Sequence, residues 1–538
     1  MYLKITKSNC NTAILQYEVD VEPIDLFAII ASKNIKMLCM SHFRLIHNNI
    51  PDFICNRLSP SLAIKYCVMP LSEQDGVLSL ACSDPFDWQS WDELEHLLDC
   101  KIERVLTTRE NITQMHKMYY GLGAETVERL TNNKDSSEAE QLQVTSAQAT
   151  NLSDDESANE PTVVNLVNRI ISEAITSNAT DIHFEPFDSK YRVRYRVDGM
   201  LEDVSIPQSV KQLKSALVSR IKIMSNLDIT EKRLPQDGRA RVTLKGVEYD
   251  LRISILPGVY GEAINIRLQS RQMVKLELTG LGFQHEEQVK IDELINRPHG
   301  LVLVTGPTGS GKTTTLYTCL SKINKPDTKI ITIEDPVEYW MDDILQMQVH
   351  EEIGFDFARA LRSMLRHDPD VMLIGEIRDR ETADITIRSA LTGHLVFATL
   401  HTNDAASAVS RLLDIGIEPF LAASSISGVI AQRLVRKICP KCKQVVPADE
   451  LNDVSESWTG KGCEACRYTG CKGRSVIAEI LPVSSAVRTM IQQREPADRI
   501  KEQAVREGMN TLRNSALQAV KEGRISVAEM LRVTHGDI

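Results

Sequence analysis

The octapeptide GPTGSGKT at residues 306–313 directly follows the apolar run Leu301-Val302-Leu303-Val304. It fits G-x-x-x-x-G-K-[ST], and the context predicts a strand, a glycine-rich turn and a helix beginning near Thr313. Such a loop turns its backbone N–H groups inward around phosphates, with the positive end of the helix beneath them. Gly306, Pro307, Thr308, Gly309, Ser310, Gly311, Lys312, Thr313 and Thr314 form the candidate phosphate-binding set. Lys312 reaches the β- and γ-phosphates in a loop of this kind, and the Thr313 hydroxyl completes a magnesium shell. The expected ligand is therefore a nucleoside triphosphate with Mg2+.

A nucleotide site also needs carboxylates to hold the metal ion and prepare water. Ile330-Ile331-Thr332-Ile333 reads as a buried strand that delivers Glu334 and Asp335 at its end, with Glu338 after Pro336. Ligands of open α/β sheets sit at the carboxyl ends of the strands, which places Glu334 near magnesium or its waters. Val371-Met372-Leu373-Ile374 is a second such strand, and Glu376 behind it is the candidate for orienting or deprotonating the attacking water. Gly375 stands where a metal-holding Asp is usual, so the metal falls to Thr313 and the first strand's carboxylates. His394 and His401 bracket a third buried strand, Leu395-Val396-Phe397-Ala398-Thr399, and are read as two histidines near one sheet edge. Either could hydrogen-bond a phosphate or a neighbouring subunit. Arg233, Arg239, Arg252 and Arg267 lie beside strand or turn signals and, on physics alone, are surface strand residues.

At 538 residues the chain is too long for one core, and three or four domains are expected. Residues 1–120 alternate short strand and helix patterns, such as Val77-Leu78-Ser79-Leu80-Ala81-Cys82 followed by a helix through Trp91 and Leu98. Residues 121–160 are polar and acidic without periodicity, the pattern of a flexible linker. A helix pattern starts at Thr162, and residues 161–275 read as an α+β domain, with a second helix from about Gln208 to Met224. Residues 276–436 alternate apolar strands and helices as a parallel sheet with crossover helices does. A cysteine-containing element at 437–473 and a helical region at 474–538 complete the chain.

The formal net charge of −11 tilts the expectation away from nucleic acid, whose binders carry a basic surplus. No run approaches the roughly 18 apolar residues of a membrane span, and the beginning MYLKITKSNCNTAI shows no secretory pattern. The expected compartment is cytosolic, where the 12 cysteines stay reduced. Cys439-x-x-Cys442 and Cys463-x-x-Cys466, separated by 20 residues, present two thiolates from each of two knuckles and close a tetrahedron suited to structural zinc. Cys471 is a spare thiol. Asp181, His183 and Glu185 also share one strand face, yet polar alternation on a half-exposed sheet gives the same pattern, and no metal is assigned to them.

Together these motifs resemble the type II secretion and type IV pilus assembly ATPase family from about residue 57 onward. The matching segments include 331–338 (ITIEDPVE), 365–379 (LRHDPDVMLIGEIRD), 390–402 (ALTGHLVFATLHT), 181–186 (DIHFEP), 234–239 (LPQDGR) and 249–254 (YDLRIS). The resemblance implies a RecA-like P-loop core preceded by a PAS-like α+β domain and a small N-terminal α/β domain. It also implies a homohexameric ring that hydrolyses ATP, with Arg239, Arg252 and Arg267 facing phosphate. Retraction motors of that superfamily typically lack the zinc element and the N-terminal domain, so an assembly or export motor is expected. Its partners would be an inner-membrane platform and a membrane protein's cytoplasmic part, placing the chain peripherally on the cytoplasmic face, with no nucleic acid. The rival readings are a nucleic-acid translocase on the same core fold and a nucleotide-binding scaffold without turnover.

Overall fold

The structure is a computed structural model that describes residues 3–6, 14–17, 41–42, 50–74, 76–85, 87–121, 143–144, 161–206, 208–270, 277–447 and 456–534. The chain divides into two compact units, Met1–Gln269 and Ser270–Ile538.

In the first unit, Val77–Cys82 and Lys101–Leu106 are parallel neighbours joined through helix Trp88–Leu98, a crossover that buries Leu78, Leu80, Trp91 and Leu94. The helix starts earlier than its apolar face suggests because Asp87 caps it, accepting from the Ser90 N–H at 3.4 Å. Val68–Gln74 adds an antiparallel neighbour to Val77–Cys82.

A second sheet of the same unit is antiparallel. Alternation decides its faces: Ile182, Phe184, Val193, Tyr195, Leu251, Ile253, Ile264 and Ile266 pack with Leu166, Ile170, Leu217 and Ile221 of helices Pro161–Thr176 and Lys214–Met224. Each such aliphatic side chain contributes roughly 1.5–3 kcal/mol by leaving water. The helix expected from Gln208 opens instead as a 3-10 turn, Gln208–Leu213, before the α-helical Lys214–Met224. The opposite face carries Arg192, Arg194, Arg196, Arg239, Arg241, Arg252 and Arg267, out of register with the buried rows. Asp181 and Glu185 sit among them as ion-pair partners, Asp181 with Arg267 at 3.1 Å and Glu185 with Arg194 at 2.6 Å. The linker expected at 121–160 lies outside the described residues apart from Gly121 and Gln143–Val144, which pairs antiparallel with Val242 and Thr243.

The second unit is built on a seven-stranded sheet. Its parts in chain order are β1 (Gly300–Thr305), α1 (Lys312–Ile323), β2 (Ile330–Glu334), β3 (Leu345–Gln348), α2 (Phe357–Met364), β4 (Val371–Ile374), α3 (Arg380–Leu391), β5 (Leu395–Leu400), α4 (Ala405–Asp414), β6 (Ile426–Ile438) and β7 (Cys471–Pro482). The strand order is β3-β2-β4-β5-β1-β6-β7, parallel except for the final β6–β7 pair. Helices cover both faces, so the central strands are apolar at nearly every position. Leu301, Leu303, Ile331 and Ile374 face α2, α3 and α4, whereas Val302, Val304, Leu373 and Phe397 face α1.

Between β6 and β7 the chain forms an antiparallel hairpin, Lys443–Pro447 with Glu456–Gly460. The region expected to be helical from 474 instead opens as β7, whose pairing with β6 keeps residues up to Pro482 in the sheet, and four helices follow, Ser485–Gln492, Ala497–Arg506, Leu512–Lys521 and Val527–Thr534. Among the described residues, no helix is long and apolar enough to cross a membrane.

Candidate active site

β1 ends at Thr305, and the chain turns through Gly306, Gly309 and Gly311 at φ +149°, +78° and +87°. A Cβ on Gly306 would lie 2.5 Å from the Gln432 carbonyl oxygen, so the close passage against β6 requires glycine there. Gln432 Nε2 also donates to the Ser310 carbonyl at 2.8 Å, fastening the loop to β6. The oxygens Ser310 Oγ, Thr315 Oγ1 and Gln432 Oε1 are buried without a hydrogen-bond partner in the protein. Buried polar atoms are rarely left so, and Ser310 in the loop, with Thr315 of α1 and Gln432 of β6 about it, suits a polar ligand. Pro307, Thr308 and Gly309 are exposed, and Lys312, Thr313 and Thr314 are half-buried in the first turn of α1.

Lys312 folds back over the loop, its Nζ donating to the carbonyls of Gly306 at 2.9 Å and Pro307 at 3.3 Å. Burial lowers its pKa and the Glu376 carboxylate opposes that shift. Glu376, at the carboxyl end of β4, accepts from Arg378 Nε at 2.8 Å and lies 3.4 Å from His401 Nε2. Arg378 also reaches Asp335 at 3.6 Å, tying the ends of β2 and β4 together. The His401 pKa is lowered, first by burial and then by the Lys312 charge. The ring is therefore neutral at neutral pH and offers either a donor or an acceptor to its surroundings.

Gly375 has a steric reason. A Cβ there would stand 3.1 Å from Glu334 Cα and 3.2 Å from the Ile333 carbonyl, which leaves no easy room for the usual Asp. Glu334 is itself buried at 4% exposure. Tyr317 of α1 donates to its Oε2, and Thr332 Oγ1 donates to its Oε1 at 2.7 Å. Burial raises the Glu334 pKa, with Glu338 adding to the rise and the hydrogen bonds from Tyr317, Thr332 and Gln346 working against it. Thr313 and Glu334 supply hard oxygen donors of the kind magnesium takes.

The four sulfurs of Cys439, Cys442, Cys463 and Cys466 all lie within 4.8 Å of one another. The closest pairs are at 3.8, 3.8 and 3.7 Å. Tetrahedral zinc with bonds of about 2.3 Å puts neighbouring sulfurs about 3.8 Å apart, so the cluster has the dimensions of a zinc site. A disulfide would need sulfurs at about 2.05 Å. Four sulfurs leave no open position, and the ion they would hold is structural. Cys471 lies outside the cluster.

A sequence profile described as "Type II/IV secretion system protein" matches residues 156–532. The chain belongs to that family. A second profile, the MshEN domain, matches residues 40–126. The chain is 40% identical over 503 residues to the type IV pilus assembly ATPase PilB of Myxococcus xanthus, covering 90% of this chain and 87% of that protein. It is 47% identical over 372 residues to the type II secretion system protein HxcR of Pseudomonas aeruginosa, covering 69% of this chain and 77% of that protein. The Legionella pneumophila ATPase DotB shares the fold at a TM-score of 0.53 and 22% identity, over 69% of this chain and 95% of that one. The second unit is thus the expected RecA-like P-loop core, and the chain is a P-loop ATPase.

Two features of this family site differ from the sequence reading or extend it. His394 and His401 do not share a sheet edge, because β5 runs between them and carries them to opposite ends. His401 stands beside Glu376, whereas His394 Nδ1 is 2.9 Å from the Ser389 carbonyl at the end of α3. Tyr317, Gln346, Arg378 and Gln432 belong to the site and were not singled out in sequence. Only Tyr317 carried a signal, since it follows Thr313 by four residues and shares its helix face. Arg239 and Arg252 are direct cross-strand neighbours in the other unit, and Arg267 is paired with Asp181.

Proposed function

We propose that this chain is the subunit of a homohexameric motor that hydrolyses ATP to drive an inner-membrane platform in pilus assembly or type II secretion. What supports the reading most is the gathering of Lys312, Glu376 and His401 at the carboxyl ends of parallel strands around a glycine-lined phosphate loop. Lys312 and the loop N–H groups bind phosphate, with Lys312 released from its own loop carbonyls to do so. Magnesium, when bound, neutralises charge on the phosphoryl group, and Thr313 and Glu334 are the residues that would hold it. Glu376 accepts the proton of, or orients, the attacking water, while Arg378 and His401 fix the carboxylate. Arg239, Arg252 and Arg267, by their place in the family's motifs, are the candidates for facing phosphate. Glu338 and His394 serve the loop and the helix end.

The N-terminal domain docks on a partner's cytoplasmic part at the inner face of the membrane, and the four cysteines hold zinc for structure. Light scattering with magnesium and a non-hydrolysable ATP analogue tests the ring, and phosphate release with and without the platform's cytoplasmic part tests the coupling. A particle of six chains with stimulated turnover is expected. A monomer, or turnover stimulated by DNA in a salt-dependent way instead, would overturn the reading.

A further inference from the structure

Tyr317 projects from the same face of α1 as Thr313, one turn along. It is 1% exposed, where an unpaired phenol oxygen would be costly. Its hydroxyl is instead a junction of three segments. It donates to Glu334 Oε2 at the end of β2, and it accepts from Gln346 Nε2 of edge strand β3 at 3.3 Å and from the Glu338 N–H at 3.4 Å. Its ring stands edge-on to Tyr339 with centroids 6.0 Å apart. Gln346 is held in turn, donating to the Tyr339 carbonyl at 3.0 Å and accepting from the Met341 N–H at 2.8 Å. The same amide lies 3.4 Å from Glu334 Oε1. One buried carboxylate is thus clasped by neutral donors from α1, β2 and β3.

Resting on the reading of Glu334 as a magnesium-serving group, we propose that Tyr317 is a positioning residue whose hydroxyl fixes the Glu334 carboxylate to the helix that carries Thr313. The two oxygen donors for the metal then move as one body. The Tyr317 hydroxyl and the Thr332 hydroxyl hold one carboxylate oxygen each, so the orientation of Glu334 is set from both α1 and β2. Gln346 supports both partners at once, which makes β3 part of the metal site although it carries no carboxylate toward it. Groups that hold a metal-binding carboxylate typically change metal affinity about 10–100-fold when removed.

The test uses Mn2+ as the probe, followed by electron paramagnetic resonance in the ADP complex of the full chain. ADP affinity without metal is measured alongside by calorimetry. Tyr317→Phe keeps the ring and is expected to weaken Mn2+ binding about tenfold with metal-free ADP binding unchanged. Gln346→Leu is expected to weaken it in the same direction and less, and it carries the test alone if Tyr317→Phe folds poorly. If Glu334→Gln weakens Mn2+ while Tyr317→Phe and Gln346→Leu both match the parent, the inference is overturned. If Tyr317→Phe loses metal-free ADP binding to the same degree, the residue is merely structural and the inference is overturned as well. If Glu334→Gln itself matches the parent, the reading of Glu334 falls first.

Discussion

Replacing Glu529 by Gln should loosen the C-terminal helix without touching the phosphate loop. Its side chain is 1% exposed and accepts from the Arg436 N–H at 2.9 Å, from the Arg436 guanidinium at 2.6 and 3.0 Å, and from Arg532 at 2.7 and 2.9 Å. Burial opposes its charge, but Arg532 and Arg436 prevail and bring the carboxyl down from 4.5 to about 2. At about 1.36 kcal/mol per unit this corresponds to about 3 kcal/mol of stabilisation. Because the folded value is depressed, the contribution is complete above about pH 5 and is lost as pH falls toward about 2. Glu529→Gln removes the charge while leaving two guanidiniums facing it, and breaking a buried pair costs roughly 3–5 kcal/mol. Hydrogen exchange at neutral pH, read by mass spectrometry on peptides covering 527–534 and 312–323, measures the local opening of each. About a hundredfold loss of protection is expected in 527–534, with 312–323 unchanged. Protection in 527–534 equal to the parent's would refute the reasoning.

Other outcomes follow from single sites. Purified protein should carry one zinc per chain by atomic emission, and Cys463→Ser should carry almost none; equal zinc in both would remove the metal assignment. Gly306→Ala places a Cβ 2.5 Å from the Gln432 carbonyl at a positive φ, so ADP binding should weaken at least about tenfold and the thermal transition should fall. Unchanged ADP affinity would show that the loop tolerates the shift. His401, lowered by burial and by Lys312, should titrate below 6.5 by NMR, and a midpoint above that value would contradict its placement beside Lys312.

The local parts of this fold were readable because each rests on short-range physics. The phosphate loop is one contiguous strand–turn–helix, and the ends of β2 and β4 follow from the four-residue, largely apolar runs 330–333 and Val371–Ile374 with Glu334 and Glu376 just beyond them. The cysteine knuckles declare themselves by spacing. What could not be read is fixed by strand order. Gln432 meets Ser310 across 122 residues because β6 lies beside β1, and Arg267 meets Asp181 across 86 because their strands pair. Periodicity does not encode such neighbours. The histidines are a different case: six strand residues separate their positions, and strand rise alone, about 3.3 Å per residue, already carries them to opposite ends. Gly375 shows the reverse. Its departure from the usual Asp was visible in sequence, but the backbone of β2 that crowds a Cβ there was not.

Phosphate release by the full chain with magnesium and ATP, compared among the parent, Glu376→Gln and Lys312→Ala, reaches the centre of the mechanism. The parent should turn over; Glu376→Gln should retain nucleotide binding and lose at least about a hundredfold in rate; Lys312→Ala should lose binding. Turnover by Glu376→Gln at the parent's rate would contradict water activation at the end of β4. A parent that released no phosphate above background would contradict the catalytic reading altogether.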